Sequence, residues 1–550
     1  MENQITQSLK SKAMALLDAG KLSQALKKAQ LGIKKFPKDS DYQAIAGFVL
    51  TEMKQYRKSI PYFVEASRMK PDDPQFAENL ANALMQTGQI VQALTYAEKK
   101  IERFPNNREL TRVIDEIQRQ GENWRSIIQF TTHKLASDPD NAELLSKRAR
   151  AYQSIGFVEE STRDIQRAYE LAAKNTTIAL QMAINLHQAG DRAQAIKVLQ
   201  NILETDPHNP NALLQSAILT APENVPQMIP ALNEAIAQTD QPLQELEFAK
   251  AHLIEKSEGL AKALPQFAKA NAIQQSILPY DPEAEENKIS DILDLFPEGS
   301  PRVNAEQNSM PVPIFVIGQP RSGTTLMEMM LSSAPVIAGC GELMLITDLS
   351  AKFYTSGTSL DSEAAKAIAQ SYLDQMPGIP TDSIAFVDKM PHNYQNVGFI
   401  LAAFPNARII NMLRDPRDVG LSKWIQRFLA DGMNDTSNLE AIAHTANLYR
   451  RYMSHWDKLF GNRILTMPYE DLVADPLTHS QRVAEFCGIE WCQSMVHPEK
   501  NTRQVRTASV DQVRNKISTK SIGRWREVAD QIKPMLDGFD PELWPEYDFS

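Results

Sequence analysis

A 34-residue period runs through the first 210 residues and limits what this half of the chain can fold into. Prolines stand at Pro37, Pro71, Pro105, Pro139 and Pro207, in the contexts FPKD, KPDD, FPNN, DPDN and DPHN. The steps are multiples of 34, with one skipped position at Ala173, just before Lys174-Asn175. Gly20, Gly88, Gly156 and Gly190 keep the same period, and Lys54 and Glu122 fill the gaps. Small residues recur five positions after the glycine register, at Ala25, Ser59, Ala93, Ser161 and Ala195. Three features held in phase over six repeats point to a stacked array rather than a single globular core.

The physics of one unit is readable. A helical run ends at a glycine, which tolerates the left-handed geometry of a helix C-cap. A second amphipathic run follows, with its small residue where two helices must approach closely. Proline then closes the unit, because it cannot continue the helix. This pattern resembles the tetratricopeptide repeat over residues 6–210. From 211 to about 285 the sequence stays helical but its phase weakens, as in terminal repeats. The resemblance implies an all-α solenoid with a concave groove for a protein or peptide. The groove residues leave open a scaffold that only solubilises the chain or forms a homodimer.

The expected organisation is 1–210 as repeats, 211–295 as degenerate helical repeats or cap, 296–312 as linker and 313–550 as a second domain. The linker string FPEGSPRVNAEQNSMPVP carries four prolines and little periodicity. Acids outnumber bases 68 to 58, for a net charge of −10. No bulk nucleic-acid binding is therefore expected, and any anion site must be a local basic pocket. No run approaches 18 consecutive apolar residues, so no membrane span is expected. The three cysteines, Cys340, Cys487 and Cys492, read as buried small hydrophobes in a reducing compartment. The expected location is cytoplasmic.

After the linker comes PIFVIGQPRSGTTLMEMMLSS. Ile314–Ile317 suits a buried strand, followed by a Gly/Pro loop and a helix beginning near Thr324. A strand, a glycine loop and a helix N-terminus together cradle an anion. The spacing from Gly318 to Gly323 is that of a P-loop, but Thr324 stands in the lysine position and Arg321 lies inside the loop, which argues against ATP or GTP hydrolysis. Two further strands follow the same logic. FPNARIINMLRDPRDVGLSKW places Arg414 at a strand end and Ser422 on the next helix, a guanidinium and a hydroxyl suited to phosphate. AFVDKMPHNYQ places Lys389 at another strand's C-terminal edge, where open α/β sheets bind ligands. In AGCGELMLI, Glu342 is a carboxylate able to accept a hydroxyl proton or simply to receive backbone N–H bonds. Arg417 is expected in a structural salt bridge, and His444 and His455 as satisfied structural histidines.

These strings resemble the sulfotransferase superfamily, in particular the bacterial tetratricopeptide-repeat sulfotransferases and the tyrosylprotein sulfotransferases, over about residues 313–530. The resemblance implies an α/β domain with a central parallel sheet, helices on both faces, and 3′-phosphoadenylyl sulfate (PAPS) as donor across the strand C-termini. By that likeness Arg321, Ser322, Gly323, Thr324 and Thr325 hold the donor's 5′ end. Arg414 and Ser422 hold its 3′-phosphate, Tyr469 meets the adenosine, and Arg524 stands where the family has a phosphate-reaching lysine. Glu342 is then the base, while Lys389, Arg321 and Ser509 stabilise the transferring group, with no metal required. The family keeps two adjacent glutamates where this chain has Glu342 followed by Leu343. The implied activity is sulfonate transfer to an acceptor hydroxyl, with a protein tyrosine favoured by kinship and a glycan, lipid or small molecule left open. A nucleotide-gated repeat adaptor and a kinase using the degenerate loop are the rival readings.

Overall fold

The computed structural model describes all residues except 1, 88–89, 102, 105–106, 108–109, 111–120, 299–310, 357–359, 429–432, 502, 505–509 and 550. Most of the expected linker and Ser509 lie outside the described residues. The chain divides into two compact units, 1–155 and 156–550.

The period has a direct structural meaning. Helices such as Leu22–Lys35, Ser40–Glu52, Tyr56–Met69 and Pro74–Gln86 follow one another in short-turned hairpins. Gly20, Gly156 and Gly190 turn the chain with φ of +69°, +86° and +91°, and Lys54, in the same register without glycine, is held at φ +55°. The register's small residues Ala25, Ser59, Ala93 and Ala195 are 0% exposed and Ser161 3%, as close helix packing demands. A fourth periodic feature accompanies them. Asp39, Asp73, Asn107, Asn141, Asn175 and Asn209, each 34 residues from the next, accept a backbone N–H from two or three residues ahead at 2.9–3.1 Å. Pro37, Pro71, Pro139 and Pro207 each follow the end of one helix, and two residues after each an Asp or Asn caps the next. Such a cap contributes about 1 kcal/mol.

Within the second unit, helices run from Val158–Ala172 through Gln244–Glu258, Leu260–Ile277 and Pro282–Asp294. A five-stranded parallel sheet follows: β1 (Val312–Gly318), β2 (Ile337–Gly341), β3 (Ala385–Asp388), β4 (Arg408–Leu413) and β5 (Ile464–Pro468), in the order β2-β3-β1-β4-β5. β1 is central, pairing Ile314 with both Val387 and Arg408. Its side chains alternate between two cores. Ile314 and Val316 pack with Met327, Met330 and Val483. Phe315 and Ile317 belong to a core that also holds Phe248, Phe267 and Ile289 of the helical segment and Trp456 and Trp544 near the C-terminus. Helices therefore cover both faces, as a buried parallel sheet requires, and one of those layers is the helical segment itself.

Polar ties reinforce that layer. Asn271 donates to the Trp424 carbonyl at 2.8 Å, Tyr280 bonds His444 at 2.6 Å, and Arg451 pairs with Glu286 at 2.7 Å. Residues 156–550 expressed alone should melt cooperatively. A protein starting near residue 290 would lose Phe248, Leu253, Phe267 and their neighbours, at ~1.5–3 kcal/mol for each large side chain, and should show no cooperative transition in calorimetry. Matching transitions in the two proteins would show that the helical layer is dispensable to the sheet.

A second expectation concerns Asp388, wholly buried at the end of β3 and accepting the Tyr372 hydroxyl at 2.8 Å. Burial pushes its carboxyl up to about 8 from an ordinary 3.8. The fold thus binds this proton more tightly than the unfolded chain. Its contribution to stability is complete below the unfolded value and is lost as pH rises through about 8. Asp388→Asn should gain Tm relative to wild type between pH 5 and pH 8.5. An identical difference at both pH values would refute the assignment.

Candidate functional site

The loop after β1 is shaped by its backbone. At Gly318 a Cβ would lie 2.6 Å from the Met412 carbonyl oxygen, and at Gly323 (φ +100°) 2.5 Å from the Tyr469 ring, so both positions exclude a side chain. Arg321 between them has φ +76°, the left-handed region disfavoured for a residue with a Cβ. Gly323 precedes the helix Thr324–Leu331, whose first turn carries Thr324 and Thr325. The expected strand, loop and helix are all present.

A buried guanidinium, Arg414, and a half-buried one, Arg321, meet over this loop. Arg321 Nε donates to Ser422 Oγ at 2.9 Å. Arg414 donates to the Arg321 carbonyl at 2.9 Å and to the Ser521 carbonyl at 2.8 Å, and stacks 4.6 Å from the Tyr469 ring centroid. Tyr469 in turn bonds Ser521 Oγ at 2.9 Å. Burial and the neighbouring Arg414 push Arg321 down to about 10. Arg414 Nε and Ser322 Oγ are buried without a hydrogen-bond partner among the described residues. Two cations, an orphaned N–H and an orphaned hydroxyl around a helix N-terminus are suited to an oxyanion. Arg321, Ser322, Gly323, Arg414, Ser422 and Tyr469 therefore form one cluster. Arg524 instead pairs with Glu255 of the helix Gln244–Glu258.

Glu342 and Lys389 form a direct ion pair. Lys389 is 1% exposed, whereas 37% of the Glu342 side chain is accessible, so the carboxylate is the member open to a ligand. The pair is built on one peptide unit, since the Lys389 N–H donates to the Gly341 carbonyl at 2.8 Å. Leu343 is buried, and a Cβ on Gly156 would lie 2.8 Å from its Cδ2. A second glutamate at 343 would bury a charge against the repeat turn, which gives the missing acid a packing reason.

A cavity of about 590 Å³ joins these groups, lined by Arg321, Gly323, Thr324, Thr325 and Glu342 on one side and by Tyr280, Asp281, Glu285 and Lys288 of the helical segment on another. Its lining includes His392, pushed down to about 4 by burial and by Lys423 and so neutral near pH 7. Lys423 pairs with Asp435 at 2.6 Å, also in the lining. An anion cradle beside an accessible carboxylate and a mixed apolar and polar cavity can bind a phosphate-bearing molecule and take a proton from a second molecule.

Among residues read as structural, Arg417 pairs with Asp415 at 2.9 Å, His444 bonds Tyr280 and Glu286, and His455 bonds the Phe296 carbonyl. Cys340 and Cys487 are buried and Cys492 is half-buried. No described helix is long and apolar enough to cross a membrane. Sequence reasoning passed over Glu328, a carboxylate in the helix after the loop. The one available signal was its place among apolar residues in LMEMML.

A family model described as "Sulfotransferase family" matches residues 313–493, and one described as "Tetratricopeptide repeat" matches residues 49–108. An uncharacterised Aquifex aeolicus protein is 26% identical over 97% of this chain and 74% of its own length. A putative protein-tyrosine sulfotransferase of Caenorhabditis briggsae is 28% identical over 41% of this chain and 89% of its own length. The Drosophila melanogaster protein-tyrosine sulfotransferase is 24% identical over 44% of this chain and 54% of its own. Among solved structures, the sulfotransferase domain of a Synechococcus olefin synthase is 20% identical over 44% of this chain and 99% of that one, with a TM-score of 0.32. Residues 313–493 thus match a sulfotransferase-family domain, joined in this chain to a segment that matches the tetratricopeptide repeat.

Proposed function

We propose that this enzyme transfers a sulfonate group from PAPS to an acceptor hydroxyl, releasing adenosine 3′,5′-bisphosphate. The observation that carries the reading is Arg414. It is a buried guanidinium whose hydrogen-bond partners among the described residues are two backbone carbonyls, set beside Arg321 and the helix N-terminus. Its unpartnered Nε and the Ser322 hydroxyl fit a ligand carrying phosphate oxygens.

In this reading Arg321, Ser322, Gly323, Thr324 and Thr325 cradle the 5′ end, and Arg414 and Ser422 hold the 3′-phosphate. Tyr469 lies against the nucleoside, Ser509 meets the bridging phosphate, and Arg524 reaches a phosphate only by leaving Glu255, its partner in this structure. Glu342 takes the acceptor's proton. The new S–O bond forms on the acceptor oxygen as the bond to the donor's phosphate oxygen breaks. Lys389 and Arg321 meet the charge that grows on that leaving oxygen. The repeats recruit a protein or peptide acceptor, with tyrosine as the favoured side chain, and the enzyme works in the cytoplasm. The helical segment also contributes to acceptor choice, because residues 280–288 line the cavity that Glu342 faces.

Two measurements test the roles. Arg414→Ala should lower the affinity ratio of adenosine 3′,5′-bisphosphate to AMP by about 10–100-fold in calorimetry, the scale of a charged hydrogen bond. An unchanged ratio removes Arg414 from the 3′-phosphate site. Glu342→Gln keeps the shape of the side chain but cannot accept a proton. Turnover from PAPS to a small phenol such as 4-methylumbelliferone should fall by ~10²–10⁴-fold while bisphosphate affinity stays within about twofold. Near-normal turnover would place the base elsewhere.

A further inference from the structure

Glu328 lies in the helix Thr324–Leu331 with 3% of its surface exposed, and the chemistry just proposed makes no use of it. Its Oε1 accepts the Gly341 N–H at 2.9 Å and Arg503 Nη1 at 2.6 Å. Gly341 is the hub of the site. It has φ +74°, it directly precedes Glu342, and its carbonyl receives the Lys389 N–H at 2.8 Å. The Gly341–Glu342 peptide therefore ties Glu342 by covalent sequence and Lys389 by a hydrogen bond, and Glu328 holds the adjoining Cys340–Gly341 peptide through its N–H, on the other side of the Gly341 Cα.

We infer that Glu328 is a positioning residue that sets the Glu342–Lys389 pair through Gly341, and that the repeat helices hold it there through Arg503. The inference rests on the proposed roles of Glu342 and Lys389. Arg503 lies across the edge strand β2, where a Cβ on Gly339 would meet its Nη1 at 2.3 Å. Its backbone is fixed by Arg514, which donates to the Arg503 carbonyl at 2.8 Å and to the Asn501 carbonyl at 2.9 Å. The next residue, Gln504, accepts from Thr162 Oγ1 at 3.2 Å and donates to the Asn185 carbonyl at 3.4 Å. Thr162 belongs to the helix Val158–Ala172 and Asn185 to the helix Thr176–Ala189. Two repeat helices thus grip the segment that presents Arg503 to Glu328.

The electrostatics agree with the geometry. Burial alone would raise the Glu328 carboxyl, but the charges of Arg503 and Lys389 outweigh it and keep the group below the ordinary carboxylate range. A buried ionised carboxylate is retained only where such partners and hydrogen bonds satisfy it. Here it satisfies a backbone N–H whose displacement would move both reacting groups. Misplacement of catalytic groups by about 1 Å costs on the order of 100-fold in rate.

Glu328→Gln in the full chain keeps an oxygen for Gly341 but removes the charge that holds Arg503. Turnover from PAPS to 4-methylumbelliferone should fall by about 10–100-fold, with bisphosphate affinity within about twofold. Hydrogen exchange in a peptide covering 337–345 should rise, while exchange in β1 stays unchanged. Arg503→Lys keeps the charge and loses the planar fork, and should show the same signature more weakly. It also serves as the test if Glu328→Gln does not fold. Unchanged exchange at 337–345, or turnover and bisphosphate affinity falling together, would overturn the inference, because Glu328 would then support the phosphate loop. Failure of the wild type to bind the bisphosphate would instead overturn the donor reading, and the exchange result would still decide whether Glu328 fixes Gly341.

Discussion

Charge burial at the C-terminal edge of the sheet is the constraint around which the second unit is arranged. Glu328, Asp388, Lys389, Arg414, Asp415, Arg417, Asp418, Lys423 and Asp435 are all buried. Each would cost several kcal/mol if left unsatisfied. The structure answers them one by one. Arg417 takes Asp415, Lys423 takes Asp435, Arg503 takes Glu328, Lys389 takes Glu342, and Asp418 accepts the Gly523 and Trp525 N–H groups. Asp388 is answered differently, by a raised proton affinity beside Tyr372. Arg414 is hydrogen-bonded by neutral carbonyls rather than by a carboxylate, while its charge acts on the nearby Asp418 and Glu470.

The repeats were legible because their determinants are local. Proline, glycine and small residues act on their own helices and turns, and the period multiplies each weak signal. The Asp or Asn cap two residues after each proline was equally available, since it spans every unit, including the one where Ala173 replaces proline. The strand, loop and helix around Arg321 were legible for the same reason: a run of apolar residues, a glycine loop and a helix start within about 20 residues. Glu328 was not, because its partners Gly341 and Arg503 lie 13 and 175 residues away. In sequence it is one acid in an apolar helix. Leu343 read only as a departure from a pattern, and its meaning required the contact with Gly156.

The helical segment is tied to the candidate site as well as to its own repeats. Phe248, Phe267 and Ile289 lie in one core with Phe315 of β1, and Tyr280 to Lys288 line the cavity faced by Glu342. Glu255 holds Arg524, and Thr162 and Asn185 hold Gln504. These contacts reach the sheet domain at its core, its cavity and its C-terminal segment. A change in the helices from 156 to 294 therefore has two routes to the site, through the core and through the C-terminal segment, that do not pass through the acceptor.

In the proposed mechanism, a lone carboxylate at 342 ties proton transfer to charge stabilisation. As an ionised partner, Glu342 neutralises Lys389. When it accepts the acceptor's proton, that neutralisation ends while the ammonium keeps its charge in a site 1% exposed to solvent. Electrostatic interactions strengthen where water is excluded, so the lysine's pull on an oxygen bearing new negative charge is greatest at the moment the proton has moved. The side chain of Leu343 is sealed in the core against Gly156, so the position next to Glu342 serves packing and leaves Glu342 as the carboxylate that pairs with Lys389.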